Sequence, residues 1–175
     1  MKVGVLALQG DFREHIGILK KLGVEAVEVR LPSELEGLDG LIIPGGESTT
    51  ISKMMGIYGF PEEIKKFAQK GSPVFGTCAG LIVLAGKVDG RKSGPLNLID
   101  IDVKRNAYGR QVDSREVDLT IDFAGSIPYR AIFIRAPQIR KMGAGVKSLA
   151  RYEGKTVLAR QKNILICSFH PELTE

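Results

Sequence analysis

The chain has 175 residues, a net charge of +5, 43% hydrophobic and 26% charged residues, figures that fit one globular domain with a sizeable core. No apolar run is long enough to cross a bilayer, so no membrane partner is expected. The basic excess is concentrated between residues 104 and 162, with 13 Lys and Arg against 5 Asp and Glu. These residues are spread singly without interleaved aromatics, which argues against a nucleic-acid partner and leaves an anionic substrate or an acidic protein face.

VGVLAL (3–8) is a short continuous apolar run, the pattern of a strand buried on both faces, and the opening MKVGVLALQGDF lacks the cleavage site of a signal peptide. From Asp11 the period becomes helical, with Phe12, Ile16 and Leu19 on one side and Gly23 as a stop. His15 falls within that helix beside Glu14 and reads as a solvated residue. VEAVEV (24–29) alternates as a second strand, GLIIPGG (40–46) is a third, and residues 47–70 read as two short helices broken near Gly59-Phe60-Pro61. PVFGT (73–77) is a fourth strand and AGLIVLAG (79–86) opens a helix. LIDIDV (98–103), EVDLTI (116–121), AIFI (131–134), TVLAR (156–160) and ILICSF (164–169) are strand-like with little helix between them. The alternation predicts an α/β three-layer sandwich of the flavodoxin-like kind, with a mostly parallel central sheet and an antiparallel edge. Ligands bind such sheets at the carboxyl ends of the parallel strands, which singles out Gln9-Gly10, Pro44 to Thr50, and Cys78.

Cys78 lies in Gly-Thr-Cys-Ala-Gly, between a strand end and a helix start. Small flanking residues permit a sharp turn that lifts the thiol out of the sheet, and the following helix favours thiolate and offers N–H groups to an oxyanion. A buried structural cysteine is the plain alternative. Cys167, inside an apolar run without turn chemistry, reads as core, and two thiols far apart without a secretory signal point to a reduced, cytoplasmic protein. His170 sits in His-Pro-Glu; in an extended segment Glu172 would share its side of the chain and could orient the imidazole. PGGESTT (44–50) lacks both common nucleotide-binding Gly patterns, and the Gly46 and Ala79 N–H groups would suit an oxyanion hole at the same sheet edge. At this level a peptidase-like hydrolase and a redox-sensing thiol both remain open.

In that spacing, Gly-Thr-Cys-Ala-Gly, His-Pro-Glu and Pro-Gly-Gly resemble the class I, triad-type glutamine amidotransferases. VGVLALQGDFREH (3–15), GLIIPGGEST (40–49), GTCAGLIVLA (76–85), RNAYGRQVDS (105–114) and FIRAP (133–137) resemble, more narrowly, the family of glutaminase subunits of pyridoxal 5′-phosphate synthase. The resemblance implies hydrolysis of L-glutamine by Cys78, His170 and Glu172 through a γ-glutamyl thioester. It also implies ammonia delivery to a separate (β/α)8-barrel synthase subunit, and neither cofactor nor metal for the glutaminase step. By the same resemblance Gly46, Glu47, Ser48, Arg105, Ile134 and Arg135 hold glutamine, and Gly10 helps complete the oxyanion hole with Gly46 and Ala79. Such relatives continue into a C-terminal helix, so residues 1–175 are expected to form a single glutaminase domain without that tail.

Overall fold

The computed structural model describes residues 1–92, 96–105, 114–123 and 125–174. Its principal sheet has seven strands in the order β11-β12-β13-β4-β3-β1-β2. The ranges are β1 Lys2–Leu6, β2 Glu25–Val29, β3 Gly40–Ile43, β4 Val74–Thr77, β11 Lys147–Tyr152, β12 Lys155–Gln161 and β13 Ile164–Cys167. From β13 through β4, β3 and β1 to β2 the pairing is parallel. β11 and β12 add an antiparallel edge. The expected α/β architecture with a mostly parallel sheet is therefore present.

Among the described residues, four α-helices precede or flank these strands: α1 Phe12–Lys21, α2 Ser48–Ile57, α3 Phe60–Gln69 and α4 Ala79–Leu84. α3 begins after Gly59, which has φ +76 and so supplies the left-handed turn between two helices. Pro61 occupies its first turn, where a missing N–H is harmless. The helices bury Ile51, Met55, Phe60, Ile64 and Phe67 in one apolar cluster with Leu41, Ile43 and Val74 of the sheet. At roughly 1.5–3 kcal/mol per buried large apolar side chain, this layer is a main source of the fold's stability.

The later half departs from expectation. The apolar run 79–86 is not one helix: α4 stops at Leu84 and the chain enters β5 (Ala85–Val88) directly. A Cβ at Gly86 would lie 2.8 Å from Asn97 Oδ1 and 3.3 Å from the Ile99 carbonyl, a close backbone approach that fits a strand. β5 joins β6 (Arg91–Lys92), β7 (Ile99–Lys104) and β10 (Gln138–Met142) in a second sheet, ordered β10-β7-β5-β6. β8 (Arg115–Asp122) and β9 (Ser126–Phe133) form a separate antiparallel hairpin. Of the five later strand-like runs, TVLAR supplies the antiparallel edge as part of β12 and ILICSF forms β13, whereas LIDIDV, EVDLTI and AIFI lie outside the main sheet. The hairpin packs through Leu119, Ala131 and Phe133 onto Leu149, Val157 and Phe169.

Candidate active site

Four adjacent parallel strands deliver the site. The carboxyl ends of β13, β4, β3 and β1 lead respectively into His170–Glu172, Cys78, Gly45–Ser48 and Gln9–Asp11. Non-adjacent stretches of chain therefore meet because the sheet order brings their strand ends together.

Cys78 has φ +47 and ψ −101, a conformation few non-glycine residues adopt. Such strain costs on the order of 1–3 kcal/mol and persists only where surroundings enforce it. Here the Cys78 N–H donates to the Cys167 carbonyl at 2.9 Å, tying the turn to β13. The bracketing glycines are required by contact. A Cβ at Gly80 would overlap the Ile43 carbonyl oxygen, and one at Gly76 would sit 2.7 Å from the Gly80 backbone. The thiol faces the Ile134 carbonyl at 3.9 Å.

His170 and Glu172 meet by a different route from the extended one expected. Pro171–Leu173 form a single 3-10 turn, and His170 is its N-cap residue. The turn is anchored by His170 N–H donating to the Ile132 carbonyl at 2.8 Å, and by Thr174 Oγ1, which donates to the Arg130 carbonyl and accepts from the Tyr129 hydroxyl, both at 3.0 Å. His170 Nδ1 then lies 2.7 Å from Glu172 Oε1, with the Glu172 side chain fully buried. Burial by itself lowers the His170 pKa. The neighbouring Cys78 and Glu172 side chains outweigh it, and the imidazole is pushed up to about 10. With Nδ1 on Glu172, Nε2 is the ring nitrogen left for the thiol.

The glycine loops are interlocked. Asp11 N–H donates to the Gly45 carbonyl at 3.1 Å, and Glu47 N–H donates to Gln9 Oε1 at 2.8 Å. Gly10 and Gly46 have φ +98 and +143, and a Cβ at Gly46 would meet Gln9 Oε1 at 2.6 Å. Glu47 is the N-cap of α2: its carboxylate accepts from the N–H and hydroxyl groups of Thr49 and Thr50. Those bonds, the hydroxyl ones foremost, hold its pKa down at about 2.

These residues line a cleft of about 460 Å³, within the usual size for small-molecule sites. Cys78, His170, Gly10, Gly46, Glu47, Ser48, Ala79, Arg105, Ile134 and Arg135 all border it; Glu172 lies behind His170. Arg105 is exposed and held by Asp89, whose Oδ2 takes Nε at 3.1 Å. Arg135 carries φ +44, a second strained backbone at the cleft. The segment 106–113 of RNAYGRQVDS lies outside the described residues.

Two residues were missed or misread. Asp11 borders the cleft with Oδ2 3.5 Å from His170 Nδ1, and desolvation raises its pKa despite His170. His15, expected to be solvated, is only 2% exposed and sits against Thr77 and Glu172. Its place opposite β4 depends on the sheet order, and its period on α1 carried no such signal. Among the described residues, Asp11, His170 and Glu172 also bring three potential metal-ligating atoms within 4.8 Å of one another. A metal there would take the ring nitrogen that Glu172 already holds.

A strained cysteine at a strand-to-helix turn, a His-Glu pair after the neighbouring strand and interlocked glycine loops meet at one edge of an α/β fold of the amidotransferase class. The family model described as "SNO glutamine amidotransferase family" matches residues 5–175, and the chain belongs to that family. "Pyridoxal 5'-phosphate synthase subunit PdxT" of Pelotomaculum thermopropionicum is 55% identical over 174 residues, covering 99% of this chain and 89% of the relative. A solved structure described as "Crystal structure of glutamine amidotransferase" superposes with a TM-score of 0.91 at 53% identity, covering 98% of this chain and 91% of that one. PurLQS from Thermotoga maritima shares the fold at a TM-score of 0.78 and 18% identity, covering 98% of this chain and 87% of that one.

Proposed function

We propose that the chain is the glutaminase subunit of a pyridoxal 5′-phosphate synthase. It hydrolyses L-glutamine to L-glutamate and ammonia, and the ammonia passes to a (β/α)8-barrel synthase subunit in the cytoplasm. The observation that carries this reading is the 2.7 Å His170–Glu172 contact beside Cys78, in a chain 55% identical to a protein named as that subunit.

Cys78 Sγ, its proton held by His170 Nε2, attacks the side-chain amide carbon of glutamine. The tetrahedral oxyanion is met by the Gly46 and Ala79 N–H groups, with Gly10 holding the Gly46 loop; losing one such donor costs about 3 kcal/mol of barrier. His170 returns the proton to the departing nitrogen, leaving a γ-glutamyl thioester. It then takes a proton from water, whose attack on the thioester carbonyl releases glutamate and restores the thiol. Glu172 keeps the imidazole in one tautomer and stabilises its charged form throughout. Arg105 suits the substrate α-carboxylate through its planar fork, and Glu47, Ser48, Ile134 and Arg135 shape the surrounding wall.

The test is ammonia release from L-glutamine by the chain mixed with a matching barrel subunit. Release with glutamine and none with asparagine, one methylene shorter, is expected. No release from a demonstrated complex, or equal release from both amides, overturns the reading.

A further inference from the structure

His15 is the one residue of α1 that the fold buries, and it is placed between the two ends of the triad. Its Nε2 lies 3.1 Å from Oγ1 of Thr77, the fully buried last residue of β4, immediately before Cys78. The same nitrogen lies 3.2 Å from Glu172 Oε2. That oxygen is fully buried and has no hydrogen-bond partner of ordinary geometry among the described residues, while its sister Oε1 faces His170; the His15 ring nitrogen is close to it but not yet aligned with it. With its hydrogen on Nε2 the ring offers this oxygen a donor, whereas with the hydrogen on Nδ1 two lone pairs would face each other. Burial lowers the His15 pKa more than Glu172 raises it, and His170 lowers it further, so the neutral ring is favoured and one nitrogen carries the hydrogen.

A second carboxylate makes the placement consequential. Asp11 Oδ2 also approaches His170 Nδ1, at 3.5 Å against 2.7 Å for Glu172. Two acceptors therefore compete for one N–H. The charged groups facing this corner are Glu172 and His170 on the 3-10 turn, and Asp11 and Glu14 at the start of α1.

We propose that His15 is a positioning residue for the triad: its Nε2–H holds Glu172 Oε2 beside the end of β4, so that Oε1 rather than Asp11 keeps His170 Nδ1. The inference rests on the glutaminase reading and names a part of that site which neither substrate nor thiol touches. Hydrophobic packing alone would be served equally by leucine, whereas the proposed role needs a donor at this height above the helix.

The experiment measures kcat and KM for glutamine hydrolysis in complex with the barrel subunit, for His15→Leu, His15→Gln and His15→Asn, with Cys78→Ala alongside. The glutamine amide nitrogen reaches about as far as Nε2, whereas the asparagine amide stops short. His15→Leu and His15→Asn are expected to lose roughly 10- to 100-fold in kcat at little changed KM, the size of one lost hydrogen bond to a charged group, and His15→Gln to stay within a few-fold of the parent. Equal kcat for all three, or equal loss in His15→Gln and His15→Asn, overturns the proposal. If His15→Leu does not fold, the comparison of His15→Gln with His15→Asn still decides. Ammonia release that survives in Cys78→Ala would instead overturn the glutaminase site itself, a separate result.

Discussion

Replacing Glu172 by Gln removes one charge and keeps the shape. The residue is fully buried and its Oε1 is 2.7 Å from His170 Nδ1, so the carboxylate acts on the imidazolium through protein rather than water. Taking the charge centres as about 4 Å apart and an effective dielectric of about 20, the lost attraction is about 4 kcal/mol. The charged imidazole gives its proton to the departing nitrogen, so the loss falls on the chemical step. At 1.36 kcal/mol per tenfold, kcat should drop by about 10³, with KM nearly unchanged because Glu172 does not border the cleft. Ammonia release at saturating glutamine, in complex with the barrel subunit, measures this, with circular dichroism as the control for folding. A folded variant within tenfold of the parent would refute the argument that Glu172 stabilises the charged imidazole.

Stability should fall as pH rises through the alkaline range. His170 is pushed from the ordinary value near 6.5 up to about 10. Its charged form therefore adds stability fully below about 6.5, and that contribution is lost as pH climbs towards 10. Melting temperatures at pH 7 and pH 10 should diverge in the parent and converge in His170→Asn; an equal fall in both would remove His170 as the cause. Two glycine substitutions separate contact from composition. Gly80→Ala drives a Cβ into the Ile43 carbonyl and should cost about 2–3 kcal/mol, lowering Tm by about 5–10 °C, whereas Gly17→Ala, exposed on α1 with nothing within 4 Å, should raise stability by about 0.5–1 kcal/mol. Similar melting temperatures for the two variants would contradict the packing account of the Gly-x-Cys-x-Gly turn.

The first half of the fold was readable in one dimension because its strands are short apolar runs ended by glycine. VGVLAL, GLIIPGG and PVFGT each appear as a strand whose end opens the site. The second half was less so. QIRKM of β10 buries only Ile139 and alternates poorly, and β11 lies at the sheet edge, so neither carries a strong period. The division into a second sheet and a hairpin depends on long-range pairing that no local pattern records. At the site, Cys78 and His170 announced themselves through turn chemistry. Their convergence followed from the rule that ligands gather at parallel strand ends. His15 did not announce itself, because its burial is decided by Thr77 and Glu172, 62 and 157 positions further along the chain. The His170–Glu172 contact was anticipated, but its geometry comes from a Pro-led 3-10 turn rather than from extended chain.

Rapid acid quenching of the complex during turnover of L-glutamine, followed by mass analysis of the peptide carrying Cys78, tests the account most directly. A γ-glutamyl adduct on Cys78, absent from Cys167 and lost together with ammonia release in Cys78→Ala, is the predicted result. Turnover that continues in Cys78→Ala, or an adduct on another residue, would contradict the assignment of Cys78 as the nucleophile.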